Sequence, residues 1–162
     1  MDGSPIDRAK AKALRLLAAR PRTAAEIRGR LERDGLGREA AAVEEWLRRL
    51  GYLDDEAYAR DRARRLTAPG GLGPRLAEAR LAAAGVSPSA ARRAVREALG
   101  EPGGAAEVER CRALAARRAP RPIGDLDDRE RARLVRHLLG RGFSAAAVSS
   151  VAGVLVDDEE GR

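Results

Sequence analysis

A six-residue turn that begins with leucine recurs three times along the sequence. The copies are Leu31–Leu36, Leu81–Val86 and Leu138–Phe143, and each ends in a glycine followed by an apolar residue. The three glycines are Gly35, Gly85 and Gly142, which are separated by 50 and then 57 residues. Similar spacing of a helix-ending turn indicates tandem helical units, each with the turn between its second and third helices.

Composition and capping residues make these units helical. Alanine, leucine and arginine dominate, whereas the aromatic residues that favour strands are few. They are Trp46, Tyr52, Tyr58 and Phe143. Two residue pairs have the spacing of a capping box, Thr23 with Glu26 and Asp127 with Glu130. In a capping box, the side chain of each residue accepts the backbone N–H of the other at the start of a helix. We therefore predict an all-α protein of nine helices.

Stretches that contain the helix-breaking residues glycine and proline divide these helices into three units. We expect three-helix repeats over residues 6–53, 54–100 and 105–156, a linker over 101–104 and a disordered acidic tail over 157–162. The closing helix is predicted to carry Val148, Val151, Val154 and Leu155. Because a unit of this size buries little apolar surface alone, neighbouring units should share cores.

The charge balance points to an anionic partner. The chain carries 32 basic and 25 acidic residues, a net charge of +7, and the excess is arginine. Arginine suits phosphate and carboxylate groups, so the partner would be a polyanion or an acidic protein groove. A solvated arginine-rich surface is the alternative, and arginine abundance can also reflect a GC-rich coding sequence.

The sequence predicts a cytoplasmic protein without a cofactor. Cys111 is the one cysteine and His137 the one histidine, which leaves neither a disulfide nor a metal cluster of the usual Cys/His kind. We expect Cys111 to pack in a core and His137 to be structural or exposed. The segment Met1–Ile6 lacks the apolar region of a signal peptide, and no apolar run approaches the length of a membrane span.

Other candidate sites have simpler explanations. The glycines at 70, 71 and 73 lack the lysine, the following Ser/Thr and the preceding strand of a phosphate-binding loop. Asp54 and Asp55 could bind a metal or act as acid and base, but the start of a helix explains them better. Trp46 has the spacing of a core residue rather than a base-stacking platform. We predict no catalytic or metal site.

The densest basic region follows these aspartates. It contains Arg60, Arg62, Arg64, Arg65, Arg75 and Arg80. Arg62 and Arg65 share a helix side with Tyr58, which would form a mixed aromatic and cationic recognition surface. A solvated face is the alternative explanation.

Two sets of motifs give the chain a family resemblance. Gly51-Tyr52-Leu53-Asp54-Asp55, followed by Tyr58-Ala59-Arg60 and Gly73-Pro74, resembles the most recognisable motif of the RecX family of recombination regulators. The first unit of that family is similar to a second set of residues. This set comprises Ala13-Leu14-Arg15-Leu16-Leu17, Arg20, Arg22, Glu26 and Arg30-Leu31.

The resemblance implies a fold and a function. It implies three three-helix repeats in an elongated, curved array that binds in the helical groove of a RecA–DNA filament. Such binding would inhibit filament extension, ATP hydrolysis and strand exchange in recombination, DNA repair and the SOS response, without catalysis by the regulator. The predicted contact residues are Asp54, Asp55, Tyr58, Arg62, Arg65 and Arg75.

The sequence is compatible with two other functions. A three-helix unit with a glycine turn also resembles a helix-turn-helix module, which would make the protein a basic DNA-binding protein. A generic helical adaptor is the other alternative. With few aromatic residues for stacking, any DNA contact of a regulator should be weak, directed to phosphates and salt-sensitive. We expect a monomer, because helices within and between neighbouring units use up the apolar stripes.

Overall fold

A computed structural model describes residues 4–156 of the chain. Within that stretch the chain forms nine α-helices and two short 3₁₀ turns, and no residue is in a strand, which confirms the all-α prediction. The helices are α1 Pro5–Ala19, α2 Ala24–Arg33, α3 Ala40–Arg49, α4 Asp55–Leu66, α5 Pro74–Ala83, α6 Pro88–Leu99, α7 Ala105–Arg118, α8 Asp128–Gly140 and α9 Ala145–Ala152. The 3₁₀ turns are Gly37–Glu39 and Ile123–Asp125.

The predicted capping boxes are both present. Thr23 Oγ1 accepts the Glu26 N–H at 3.1 Å, and the Glu26 carboxylate accepts the Thr23 N–H at 3.2 Å. Asp127 and Glu130 exchange the same two bonds at the start of α8. Each box satisfies backbone donors that a helix start leaves without an intrahelical partner, and so fixes where the helix begins.

The three recurring glycine turns have one hydrogen-bond pattern. After α2, the N–H of Leu36 donates to the carbonyl of Leu31 at 2.8 Å and the N–H of Gly35 donates to Glu32 at 3.0 Å. The turns after α5 and α8 repeat both bonds, and their glycines likewise have positive φ angles. This is the Schellman arrangement, in which a left-handed residue ends the helix.

Each repeat has a core of its own. The buried apolar residues form three separate clusters, which belong to α1–α3, α4–α6 and α7–α9 with their adjoining loops. Cys111 is fully buried in the third cluster, as predicted, and Trp46 packs partly buried against the first. The prediction that neighbouring repeats share cores is wrong, because polar and backbone contacts join the repeats instead.

Repeats one and two meet at a contact that we call the first joint. It places the glycine turn of repeat two on the start of α2. The hydroxyl of Thr23 donates to the carbonyl of Ala84 at 2.5 Å. A Cβ atom on Gly85 would lie 2.3 Å from the Cβ of Ala25, so only glycine permits this approach. Asp55 at the start of α4 accepts the Ala24 N–H at 2.9 Å, which satisfies a donor that α2 leaves free.

The second joint repeats the arrangement with repeats two and three. The N–H of Gly73 donates to the carbonyl of Arg141 at 2.9 Å, and the N–H of Arg75 donates to that of Gly142 at 3.1 Å. A Cβ on Gly142 would meet the Cβ and the backbone nitrogen of Leu76 at 2.5 Å. In both joints, therefore, the glycine turn of one repeat packs on the start of the second helix of the repeat before it.

The last helix is shorter than predicted. It ends at Ala152, because Gly153 adopts a left-handed conformation with φ +69° and stops it. Val154 and Leu155 consequently lie outside α9, and Leu155 is 99% exposed. The predicted acidic tail, 157–162, lies outside the described residues.

Candidate functional site: an arginine-lined groove between repeats one and two

A groove of about 520 Å³ lies where repeat one meets α4 and α5. Its lining joins residues that are far apart in the sequence. These are Arg20, Pro21 and Glu26 from repeat one, Tyr58, Asp61, Arg62 and Arg65 from α4, and Arg80, Ala83 and Ala84 from α5 and its end. The first joint therefore forms one wall of the groove.

The sequence of α4 explains why its basic side faces outward. Ala59 and Ala63 are buried against the core of repeat two, and their small side chains let α4 lie close to its neighbours. Tyr58, Arg62 and Arg65 follow the spacing i, i+4, i+7 and so occupy one side of the helix. The structure brings all three into the groove, with Tyr58 half-buried and both arginines exposed.

One ion pair is already built into the groove. Arg20 donates from Nη2 to Oε1 of Glu26 at 2.6 Å and from Nη1 to Oε2 at 3.3 Å, so the pair is bidentate. The hydrogen bond to Glu26 is the main cause that raises the pKa of Arg20, and Tyr58 adds a smaller contribution. Burial would raise the pKa of Glu26, but hydrogen bonds from Arg20 and from the Thr23 N–H outweigh it and lower that pKa.

The two aspartates of the predicted contact set have structural tasks. Asp54 Oδ1 accepts the Ala57 N–H at 2.8 Å and so caps α4, in agreement with the capping interpretation. Asp55 accepts from Ala24 and joins repeat two to repeat one. Neither lines the groove, although both fix how α4 presents its basic side.

Arg75 lies at the other joint. Its backbone N–H donates to Gly142, and its Nη2 donates to the carbonyl of Leu139 at 3.1 Å. It borders a second cavity, of about 750 Å³, which is otherwise lined by residues of α8 and by residues 154–156. The structure thus separates Arg75 from Tyr58, Arg62 and Arg65.

The contact set predicted from the sequence contains neither Arg20 nor Arg80. Arg80 belonged to the dense basic region, so local charge was an available signal. Arg20 follows α1, 38 residues before Tyr58, and only the packing of repeat one on α4 brings it to the groove. No periodicity within a single helix could have revealed it.

The reactive residue types are poorly placed for chemistry. Burial, with a smaller effect of Glu107, raises the pKa of the Cys111 thiol to about 12. Burial also lowers the pKa of His137, together with the charges of Arg118 and Arg141. Across residues 4–156, no group of three or more His, Cys, Asp or Glu side chains could hold a metal ion. The helices described here are all too short or too polar to cross a membrane.

These features define a class of protein, an all-α array of three-helix repeats whose joints are made by glycine turns. Comparison with known families identifies two of the repeats. Residues 9–50 match the first three-helix domain of RecX, and residues 105–151 match its third three-helix domain. The chain belongs to the RecX family of regulatory proteins.

Related proteins agree over almost the whole length. The regulatory protein RecX of Syntrophotalea carbinolica is 37% identical over 150 residues, which are 90% of this chain and 94% of that protein. The RecX of Thermus thermophilus is 40% identical over 139 residues, 83% of each chain. The crystal structure of RecX from Lactobacillus salivarius superimposes with a TM-score of 0.79 at 21% identity, covering 92% of this chain and 95% of that one, and supports the fold.

Proposed function

We propose that this protein binds a RecA–DNA filament and inhibits its extension, its ATPase and strand exchange, without catalysing a reaction itself. The observation that carries the proposal is the groove, in which Arg62 and Arg65 of α4 and Arg80 of α5 lie with Tyr58. Membership in a family of regulatory proteins supports a regulatory role. We further propose that the protein is a cytoplasmic monomer.

The six predicted contact residues divide by position. We propose that Tyr58, Arg62 and Arg65 touch the filament, since they are accessible in one groove. Asp54 and Asp55 would act indirectly, by holding α4 in place. Arg75 would act at the second joint, where it keeps repeat three in register with repeat two.

The test is the DNA-dependent ATPase of the cognate RecA, titrated with this protein at two salt concentrations. The variant Arg62→Glu with Arg65→Glu should inhibit more weakly than wild type. At low salt, about tenfold more of this variant should be needed for the same suppression of the ATPase, because interfacial charges govern encounter and register. Arg129→Glu with Arg133→Glu is the matched control. It makes the same charge change on exposed positions of α8 and should inhibit nearly as well as wild type.

The outcomes separate the possibilities. Suppression well below one protein per RecA monomer would favour capping of filament ends, whereas a stoichiometric requirement would favour binding along the groove. Equal inhibition by wild type and the Arg62/Arg65 variant would rule out this groove as the docking surface. If wild type does not inhibit at all while its circular dichroism is helical, the RecA proposal is wrong.

DNA binding is the second candidate, and one observation favours it. The third helix of repeat two, α6, follows a glycine turn and exposes Arg92, Arg93 and Arg96, as a recognition helix would. Two of these arginines already form ion pairs, Arg93 with Glu56 and Arg96 with Glu101. Tight, sequence-selective binding to DNA without RecA would favour this function, while weak binding that moderate salt abolishes would fit an accessory contact.

A further inference from the structure

We propose that the groove between repeats one and two is a receptor for carboxylate side chains, and that its ligand is an acidic segment of a protein. The inference deepens the proposed function, on which it rests for the identity of the partner. It adds Arg20 and Arg80 to the site and specifies which chemical group the site recognises. Nucleic acid is the competing ligand, and the experiment below distinguishes it.

The groove already binds one carboxylate from its own chain. The guanidinium of Arg20 holds Glu26 through two nitrogens, at 2.6 and 3.3 Å. A planar guanidinium matches the two oxygens of a carboxylate in this way, and the paired geometry adds specificity to charge attraction. The groove therefore contains an example of the contact that we propose for its ligand.

The remaining arginines of the groove form no such pair with a carboxylate of residues 4–156. Two arginines of α4 that do not line the groove are paired, Arg60 with Glu56 at 3.9 Å and Arg64 with Asp61 at 3.6 Å. The arginines that face the groove, Arg62, Arg65 and Arg80, have no ion pair among residues 4–156. The arginines of α4 that line the groove are thus the unpaired ones, whereas Arg60 and Arg64, which do not line it, are paired.

The walls of the groove favour separate carboxylates over a continuous phosphate backbone. Glu26 and Asp61 line it together with the arginines. A nucleic-acid strand carries a phosphate on every nucleotide, so a strand that followed the groove would bring some of them against these two carboxylates. A protein segment can place its acidic side chains only where the arginines are.

The floor and spacing of the groove fit such a segment. Pro21, Ala83 and Ala84 give it apolar surface, on which the methylene groups of a glutamate can pack. Arg62 and Arg65 are three residues apart on α4, so their side chains leave the helix on the same side, and both line the groove. They would match two acidic residues at a spacing of three or four on a partner helix, or neighbouring acidic residues on an extended chain.

The experiment uses the full chain and, as the probe, a blocked Gly-Glu-Glu-Gly peptide, which carries two neighbouring carboxylates. Binding is followed at low salt through the Nε–Hε NMR signals of arginine, and a twelve-nucleotide oligothymidylate is titrated in parallel. The variants are Arg62→Gln with Arg65→Gln in the groove and Arg129→Gln with Arg133→Gln outside it, which remove the same charge. Circular dichroism and urea unfolding establish that each variant is folded.

We expect saturable shifts of the Arg62 and Arg65 signals in wild type, and a peptide Kd roughly tenfold weaker in the groove variant. The control pair should change that Kd less than about twofold, and both variants should weaken oligothymidylate binding equally. Arg62→Lys with Arg65→Lys keeps the charge but removes the planar donors. Its peptide Kd should fall between those of wild type and the glutamine variant.

Three results would overturn the proposal. They are equal loss of peptide binding in the groove and control variants, a larger loss of oligothymidylate than of peptide in the groove variant, and full retention of peptide binding by the lysine variant. The ATPase test of the proposed function is read separately. A groove variant that loses the peptide but still inhibits RecA would leave the carboxylate site intact and remove it from the filament contact.

Discussion

The hydroxyl of Thr23 donates a hydrogen bond to the carbonyl of Ala84, 61 residues further along the chain. The same oxygen accepts the N–H of Glu26, so one fully buried threonine both caps α2 and fastens repeat two to repeat one. Position 84 precedes the glycine of the recurring turn. The residue that starts one repeat's second helix is thus joined to the turn that ends the corresponding helix of the next.

Replacement of Thr23 should weaken both contacts together. Thr23→Val keeps the shape of the side chain but removes the cap and leaves the Ala84 carbonyl without this donor. We expect a loss of about 1–3 kcal/mol in the free energy of unfolding. Thr23→Ser keeps the hydroxyl and should lose less than half as much, as measured by urea unfolding. Similar losses in the two variants would contradict the role of the hydroxyl.

The glycine turns allow a matched test of the joint. Gly35 and Gly85 have nearly the same φ, +74° and +83°, but a Cβ at Gly35 meets nothing within 4 Å, whereas one at Gly85 would collide with Ala25. Gly35→Ala should therefore cost only the left-handed conformation, about 1–2 kcal/mol. Gly85→Ala should cost a further ~1–3 kcal/mol, because the joint must open or repack.

Thermal unfolding of the two variants measures this difference. The expected order of midpoints is wild type, then Gly35→Ala, then Gly85→Ala. Equal midpoints for the two alanine variants would mean that the close approach of Gly85 to Ala25 does not hold the repeats together.

A buried carboxylate organises repeat three. Glu107 has no exposed surface, and it accepts the N–H of Gly103 at 2.6 Å, the N–H of Ser144 at 2.7 Å and the Ser144 hydroxyl at 3.0 Å. Glu107→Leu would leave these half-buried donors without their acceptor and should lower the free energy of unfolding by about 2–4 kcal/mol. Glu109→Leu, at an exposed position of the same helix, is the control and should change stability little. Comparable losses would contradict the importance of this carboxylate.

Local signals predicted the elements of this fold well. The Thr23–Glu26 and Asp127–Glu130 boxes form as their spacing requires, because a cap depends on residues only three positions apart. The side of α4 that carries Tyr58, Arg62 and Arg65 was predictable for the same reason. A helix fixes the relative directions of its own side chains.

The joints were not predictable in this way. They use backbone carbonyls such as those of Ala84 and Gly142, and every residue carries a carbonyl, so the sequence contains no distinctive mark of them. The expectation of shared cores failed for a related reason. Alanine-rich stripes show that a surface is buried, but they do not show whether the partner helix belongs to the same repeat or to the next one.

The Arg20–Glu26 pair should give the protein a specific dependence on acid. The pKa of Glu26 in the folded chain lies below its ordinary value of 4.5, so the folded state favours the ionised carboxylate. Its contribution to stability is complete above that ordinary value, and it is lost as the pH falls through the lower pKa of the folded state.

Glu26→Gln removes this titration while keeping a side chain of the same shape. The difference in urea midpoint between wild type and Glu26→Gln should therefore be constant from pH 7 to about 5 and shrink below pH ~4.5. A difference that stays constant down to pH ~3 would mean that Glu26 titrates alike in the folded and unfolded chains, and that Arg20 does not hold it.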